Sequence, residues 1–205
     1  MKKILKKIAN KFGYEIVNQK FFNPSAQILA NESKYLWLND KKFNLLYGEA
    51  IKATGNNDFF PHKVRSYMLI QLLNLVINKF SHYLVQNFVE CGVAEGTTVH
   101  EFCQVLKENK KPNQKITFYA FDSFEGLSAR QKEDVFNEFT PEKSLPEEQI
   151  GSGKGAIAFD LEHVKKGLKA FDFIEYHKGW IPECFNNLPK RERERERERV
   201  FVCSY

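Results

Sequence analysis

Residues 87–109 read NFVECGVAEGTTVHEFCQVLKEN, and the reading of this stretch decides the fold. It is a short apolar strand, then a turn punctuated by Gly92 and Gly96, then a helix. The pattern repeats downstream. KPNQKITFYAFDSFEGLS (111–128) is a Pro/Asn loop followed by a β-branched and aromatic strand ending at Asp122. DLEHVKKGLKAF (160–171) reads as a helix, DFIEYHKGW (172–180) as a strand, and RVFVCSY (199–205) as a possible fourth strand. Upstream, HKVRSYMLIQLLNLVINKFSHYLV (62–85) reads as an amphipathic helix whose apolar positions include Met68, Leu72, Leu75, Val76 and Phe80.

Strands alternating with helices predict βαβ units and a parallel sheet. Right-handed crossovers would put helices on both of its faces. The fold expected is α/β and Rossmann-like over residues 61–190, with residues 1–60 as a helical extension forming an accessory layer. Residues 191–205 form a separate tail. The charged, turn-rich stretch 130–155 is expected to be a long surface loop or lid.

Composition narrows the class. The chain has 205 residues, 42% hydrophobic and 14% aromatic, enough for a packed core. A net charge of +5 spread along the chain does not call for nucleic acid. Cys91, Cys103, Cys184 and Cys203 lie far apart without metal-ligand spacing, which fits reduced thiols in a cytoplasmic protein. The start, MKKILKKIANKFGYEIV, has its apolar runs broken by Lys6, Lys7 and Lys11, so it holds no signal-peptide core. Ile4, Ile8 and Phe12 recur at helical spacing. The resulting basic amphipathic helix suits weak contact with a membrane surface, a homodimer, or plain packing on the domain. No apolar stretch is long enough to span a bilayer.

In open α/β sheets, ligands bind beyond the carboxyl ends of the strands. Gly92 would permit a sharp turn and Gly96 close packing of the helix, with Thr97 and Thr98 placed to cap free N–H groups. The spacing E-x-G-x-x-x-G, with Glu90 ahead of the first glycine, is not the dinucleotide fingerprint. A carboxylate there repels a pyrophosphate and favours a cationic ligand such as S-adenosylmethionine; a plain βα glycine turn is the alternative. Asp122, with Ser123 beside it, ends the second strand where an acid can grip a ribose. The alternative for Asp122 is a capping role. GSGKG (151–155) lacks the upstream glycine and the following Ser/Thr of a phosphate loop.

FVECGVAEGTTV, FYAFDSFEGLS and YHKGWIPECFNNLP together resemble the macrocin O-methyltransferase family over roughly residues 60–190. Its members are class I S-adenosylmethionine-dependent enzymes that methylate sugar hydroxyls on natural products, with relatives in polysaccharide gene clusters. The resemblance implies that Glu90, Gly92 and Gly96 line the methionine end of the cofactor, that Thr97 lies close by, and that Asp122 holds the ribose near Ser123. Lys178, Gly179 and Trp180 match a structural KGW block. The acceptor would be a sugar-containing small molecule or glycan precursor.

In the family, a fourth strand ending in an aspartate-rich segment follows, with carboxylates that the resemblance implies bind magnesium. In this sequence no Asp or Glu follows Glu198, so the expectation is a sheet lacking its C-terminal half and a form with impaired activity. Catalytic residues are left unassigned. The alternatives are a non-catalytic S-adenosylmethionine-binding fragment and a nicotinamide-dependent enzyme, the latter disfavoured by the glycine spacing.

Residues 191–199 alternate strictly between Arg and Glu. On a helix, residues four apart would repel, so the run is weakly structured as protein. Its carboxylates also cancel most attraction to phosphate, making it a poor nucleic-acid tail. The chain has 24 lysines and seven arginines, and five of the seven arginines lie in this run. An AGAGAG repeat in the gene encodes Arg–Glu in every frame, and slippage on it would shift everything downstream. The expectation is a phase-variable gene in its off frame, with VFVCSY out of frame or a stub of the fourth strand; an ordinary charged loop is the alternative. Sequencing codons 188–205 in many clones tests it. A pure AG tract of varying length is the expected result, and mixed Arg and Glu codons would remove the idea.

Overall fold

The computed structural model describes residues 37, 40–58, 60–129, 154–187 and 200–204. The N-terminal amphipathic segment, the greater part of the charged loop and the Arg–Glu run lie outside the described residues. Helix α1 (Lys41–Thr54) begins at Asp40, whose carboxylate accepts from the Phe43 N–H at 2.9 Å. It ends at Gly55, left-handed at φ 76°, whose N–H closes on the Ile51 carbonyl. There follow α2 (Phe60–Phe80), β1 (Val85–Cys91), α3 (Thr97–Asn109), β2 (Lys115–Asp122), α4 (Leu161–Gly167) and β3 (Ile174–Lys178). A 3-10 turn (Glu183–Asn187) and β4 (Val200–Ser204) complete the order.

The result is a mixed α/β structure on an open sheet of order β3-β2-β1-β4, with every strand pair parallel. Phe88 lies level with Phe118 on one side and Phe201 on the other, and Phe118 with Ile174. This order matches the first four strands of a doubly wound sheet. The VFVCS residues therefore stand as the fourth strand beside β1.

Strand alternation divides the core in two. Phe88, Ile116, Phe118 and Ala120 face one side, where Val99, Phe102 and Leu106 of α3 and Val164 of α4 cover them. Val89, Tyr119 and Phe121 face the other, against Cys184 and Phe185 of the 3-10 turn. The expected helices on both faces are thus not found among the described residues: the helices share one face, and the 3-10 turn covers the other. The physical reason is directional. The crossovers β1–α3–β2 and β2–α4–β3 step the same way across the sheet, and crossovers of one hand then land on one side. Helix α1 belongs to the same core, with Phe43, Leu46 and Tyr47 buried and the Phe43 ring edge-on to Tyr67 at 4.9 Å.

Helix α2 is rotated relative to the sequence expectation. Val64, Ile70, Leu73 and Ile77 are buried, whereas Met68, Leu72 and Leu75 are exposed. Both stripes have helical spacing, so periodicity alone could not choose between them; the packing of α3 and α1 against the helix chose. No helix among the described residues is long and apolar enough to cross a membrane.

The two turn glycines carry different burdens. Both sit at φ 86°, but a Cβ on Gly92 meets nothing within 4 Å, while one on Gly96 would lie 3.2 Å from Leu168 Cδ1 and 3.3 Å from Val164 Cγ1. Gly92→Ala should cost about 1 kcal/mol, the left-handed strain alone. Gly96→Ala should cost about 2–3 kcal/mol because steric crowding adds to that strain. Urea denaturation of the two variants checks the order.

Candidate functional site

The site is built from the end of β2. Asp122 Oδ2 accepts from the N–H groups of Val93 (2.6 Å) and Ala94 (3.1 Å), and Oδ1 accepts from Phe124 N–H (2.7 Å). The Asp122 carbonyl accepts from Gly179 N–H at 2.9 Å, and Gly92 N–H donates to the Phe121 carbonyl at 2.8 Å. One residue thereby ties together the turn after β1, the loop after β2 and the end of β3. Ala94 and Phe124 are held at positive φ, 48° and 54°, beside it. Ser123 supports the loop from within: its hydroxyl donates to the Gly126 carbonyl and accepts from Glu125 N–H, both at 3.1 Å.

Above this junction a cleft of about 470 Å³ opens at the carboxyl ends of β1 and β2. Gly92, Val93, Ala94, Glu95, Thr97 and Thr98 form its floor with Asp122. Asn56, His62 and Arg65 enter from α2 and the loop before it, and Gly126, Leu127, Ile157 and Phe159 form an apolar wall. That wall is stitched by two hydrogen bonds of 2.9 Å, Leu127 N–H to the Ala156 carbonyl and Gly155 N–H to the Leu127 carbonyl. The approach is so close that a Cβ on Gly126 would fall 2.5 Å from the Ala156 oxygen.

The residues singled out from sequence divide between cleft and support. Gly92, Thr97 and Asp122 line the cleft; Glu90, Gly96 and Ser123 do not. Glu90 lies under the floor, 0% exposed. The expected capping by Thr97 and Thr98 is corrected in part: α3 starts at left-handed Gly96 with no side-chain cap. The Thr97 hydroxyl instead bonds Thr54 Oγ1 at 3.0 Å and accepts from Asn56 Nδ2 at 2.9 Å, tying α1 to α3. In the KGW block, Lys178 pairs with Glu125 at 3.4 Å, Gly179 holds β3 to β2, and Trp180 is exposed. None of the three lines the cleft. Glu95, Asn56, His62 and Arg65 were not singled out; only Glu95 lay within a motif already in view. Among the described residues no group of three or more His, Cys, Asp or Glu side chains converges as a metal site.

Charge beneath the floor is unusual. Glu90 and Glu101 are both 0% exposed, and no carboxylate oxygen of either makes a well-formed hydrogen bond, although the Ser66 hydroxyl lies beside Glu101. Burial pushes Glu90 well above the ordinary carboxylate range; Arg65 pulls it back, while Glu101 and Asp122 add to the rise. Burial likewise raises Glu101, from 4.5 to about 7, against the opposing pull of Ser66 and Arg65. At the cleft itself, burial raises Glu95 with His163 opposing, and burial then Arg65 lowers His62. Arg65 is thus the cation whose field reaches both buried acids and the cleft histidine.

Several donors of the glycine turn are already engaged within the fold. The N–H groups of Val93 and Ala94 point at Asp122, and Gly96 N–H donates to the Val93 carbonyl. A pyrophosphate needs such groups unengaged. Comparison with protein-family models, with curated proteins and with solved structures finds no match for this chain.

The raised Glu101 makes stability pH-dependent. Its folded-state pKa exceeds its unfolded one, so its contribution is fully present below pH 4.5 and is lost as pH rises through about 7. Glu101→Gln should remove that decline, giving a protein about 3 kcal/mol more stable than the parent above neutrality, less the cost of a buried amide. Urea midpoints measured from pH 5 to pH 8 check it.

Proposed function

We propose that the cleft binds S-adenosylmethionine and that the chain serves a sugar O-methyltransferase of the macrocin type, with a glycan precursor or sugar-bearing small molecule as acceptor. The observation that carries this reading is the cleft itself. It lies at the carboxyl ends of β1 and β2 of a parallel sheet ordered β3-β2-β1-β4, where doubly wound folds take nucleoside ligands. The glycine turn and the DSFEGL loop that the resemblance singles out both line it.

The residues present fit the cofactor in charge and shape. Glu95 supplies a carboxylate for a cationic centre, Arg65 a guanidinium for a carboxylate, and Leu127, Ile157 and Phe159 an apolar wall for a flat base. Gly92 leaves open space where a side chain would intrude. Asp122 fits less freely than its position in sequence implies. Three backbone donors already occupy its carboxylate, out of about four lone-pair positions. A ribose hydroxyl can add one hydrogen bond there, but a two-pronged grip would have to displace part of the turn. S-Adenosylmethionine, when bound, supplies an electrophilic methyl group; the chain's own residues orient and desolvate it. The engagement of the Val93, Ala94 and Gly96 N–H groups within the fold weighs against the nicotinamide alternative, since it removes part of the donor set a pyrophosphate would use.

Asp122 is a poor probe, because its removal would untie the turn together with any ligand contact. Glu95 is the better one, being on the cleft and outside the hydrogen-bonded junction. Titration calorimetry should show the chain binding S-adenosylmethionine, with Glu95→Gln weakening it by roughly tenfold, about 1.4 kcal/mol. S-Adenosylhomocysteine, which lacks the sulfonium charge, should lose less. No binding of either nucleoside would refute the proposal. Binding without methyl transfer to any sugar acceptor in the presence of magnesium would leave a cofactor-binding role and refute the enzymatic one.

A further inference from the structure

Among the described residues, Ala94, Asn113, Phe124 and Ile157 are the ones other than glycine held at positive φ. Ala94 and Phe124 belong to the Asp122 junction, and asparagine is of a type that accepts the left-handed region readily. Ile157, at φ 60°, is different. Left-handed backbone brings Cβ close to the following carbonyl oxygen, and branching at Cβ adds to the crowding. The neighbouring chain imposes this conformation. Residues 155 and 156 are pinned to Leu127 by two hydrogen bonds of 2.9 Å, on the open side of Gly126 where no Cβ would fit. Three residues after Ile157, Asp160 is fixed as the cap of α4 by the His163 N–H. The chain has to turn between these two fixtures.

Burial does not repay that strain. Ile157 is 57% exposed and lines the cleft, and Leu127 beside it on the same wall is 42% exposed. A glycine or asparagine would hold the same backbone without the crowding. Strain that persists where the fold recovers little is a mark of ligand clamps. The chemistry of the proposed ligand says which part of it such a wall would meet. Ribose hydroxyls, a sulfonium, an ammonium and a carboxylate make up most of S-adenosylmethionine, and its adenine ring is the largest flat surface that suits aliphatic side chains.

We propose that Ile157 is a ligand-binding residue, held by its strained backbone so that it covers the adenine ring of the bound nucleoside together with Leu127. The inference rests on the reading of the cleft as an S-adenosylmethionine site. At this position the chain gives up stability for affinity, so one substitution should move the two in opposite directions.

The test is calorimetric titration of the full chain with S-adenosylmethionine and S-adenosylhomocysteine, alongside thermal melts without ligand. Ile157→Asn should weaken both ligands alike, each by about tenfold, because both carry adenine. The same variant should melt about 2–4 °C above the parent, since asparagine relieves the strain. Ile157→Val keeps a branched apolar side chain and should stay within about fourfold of the parent's affinity, the value of one CH₂ group. Equal affinity in the parent and Ile157→Asn would overturn this inference and leave the cleft reading standing. A lower melting temperature for Ile157→Asn would mean that the side chain packs within the fold, and would also overturn it. A loss confined to S-adenosylmethionine would place Ile157 at the sulfonium instead of the base. Failure of the parent to bind either ligand would remove the cleft reading and this inference together.

Discussion

The carboxylate of Asp122 is the constraint on which the candidate site depends. Parallel strands leave their carboxyl ends without a hairpin to join them, so the loops above the sheet need another tie. Here a single side chain supplies it, accepting from Val93 and Ala94 after β1 and from Phe124 after β2. Its own carbonyl receives Gly179 from the end of β3. Charge-assisted hydrogen bonds of this kind are roughly twice as strong as neutral ones. The positive φ angles of Ala94 and Phe124 persist because the junction over-determines them. The cleft is then a consequence: Gly92 opens space on one side of the tie, and the Leu127–Ala156 contact raises a wall on the other.

Beneath that junction lies a second constraint of opposite character. Glu90 points into the helical layer, and Glu101 comes to the same region from α3, both without solvent. Two ionised carboxylates so placed would cost several kcal/mol each, and Arg65 offers only part of the compensation. Protonation relieves that cost: burial raises both acids, and Glu101, at about 7, makes the region beneath the cleft sensitive to pH in the neutral range. Arg65 links this buried pair to the cleft surface, so any anion bound there shares its cation with Glu90 and Glu101.

The architecture was largely legible, because it rests on local signals. Apolar runs bounded by glycine and Pro/Asn turns placed β1, β2 and β3, and DLEHVKKGLKAF reads as the helix that the structure starts at Asp160, whose carboxylate accepts from His163 N–H at 3.0 Å. Strand alternation and the strand–helix rhythm led to a parallel sheet, and VFVCS took the fourth position in it. The site was legible only in part. Gly92, Thr97 and Asp122 reach the cleft, yet Glu90 sits below it and Ser123 serves its own loop. Asn56, His62 and Arg65 carried no motif; they arrive because α1 and α2 pack beside α3, a distance of some forty residues along the chain from Thr97 to Asn56.

What the sequence by itself determined is therefore the order and type of the elements, since turn chemistry and side-chain period act over a few residues. Only the tertiary structure decided which face each element turns inward. Helix α2 offers two apolar stripes of equal spacing, and the neighbours it meets bury Val64, Ile70, Leu73 and Ile77 while leaving Met68, Leu72 and Leu75 outside. In the same way, an acid at the end of a strand is legible from sequence, but whether it holds a ligand or a turn is not. That depends on which N–H groups the fold brings within hydrogen-bond reach of it, and in this protein those of the turn hold it.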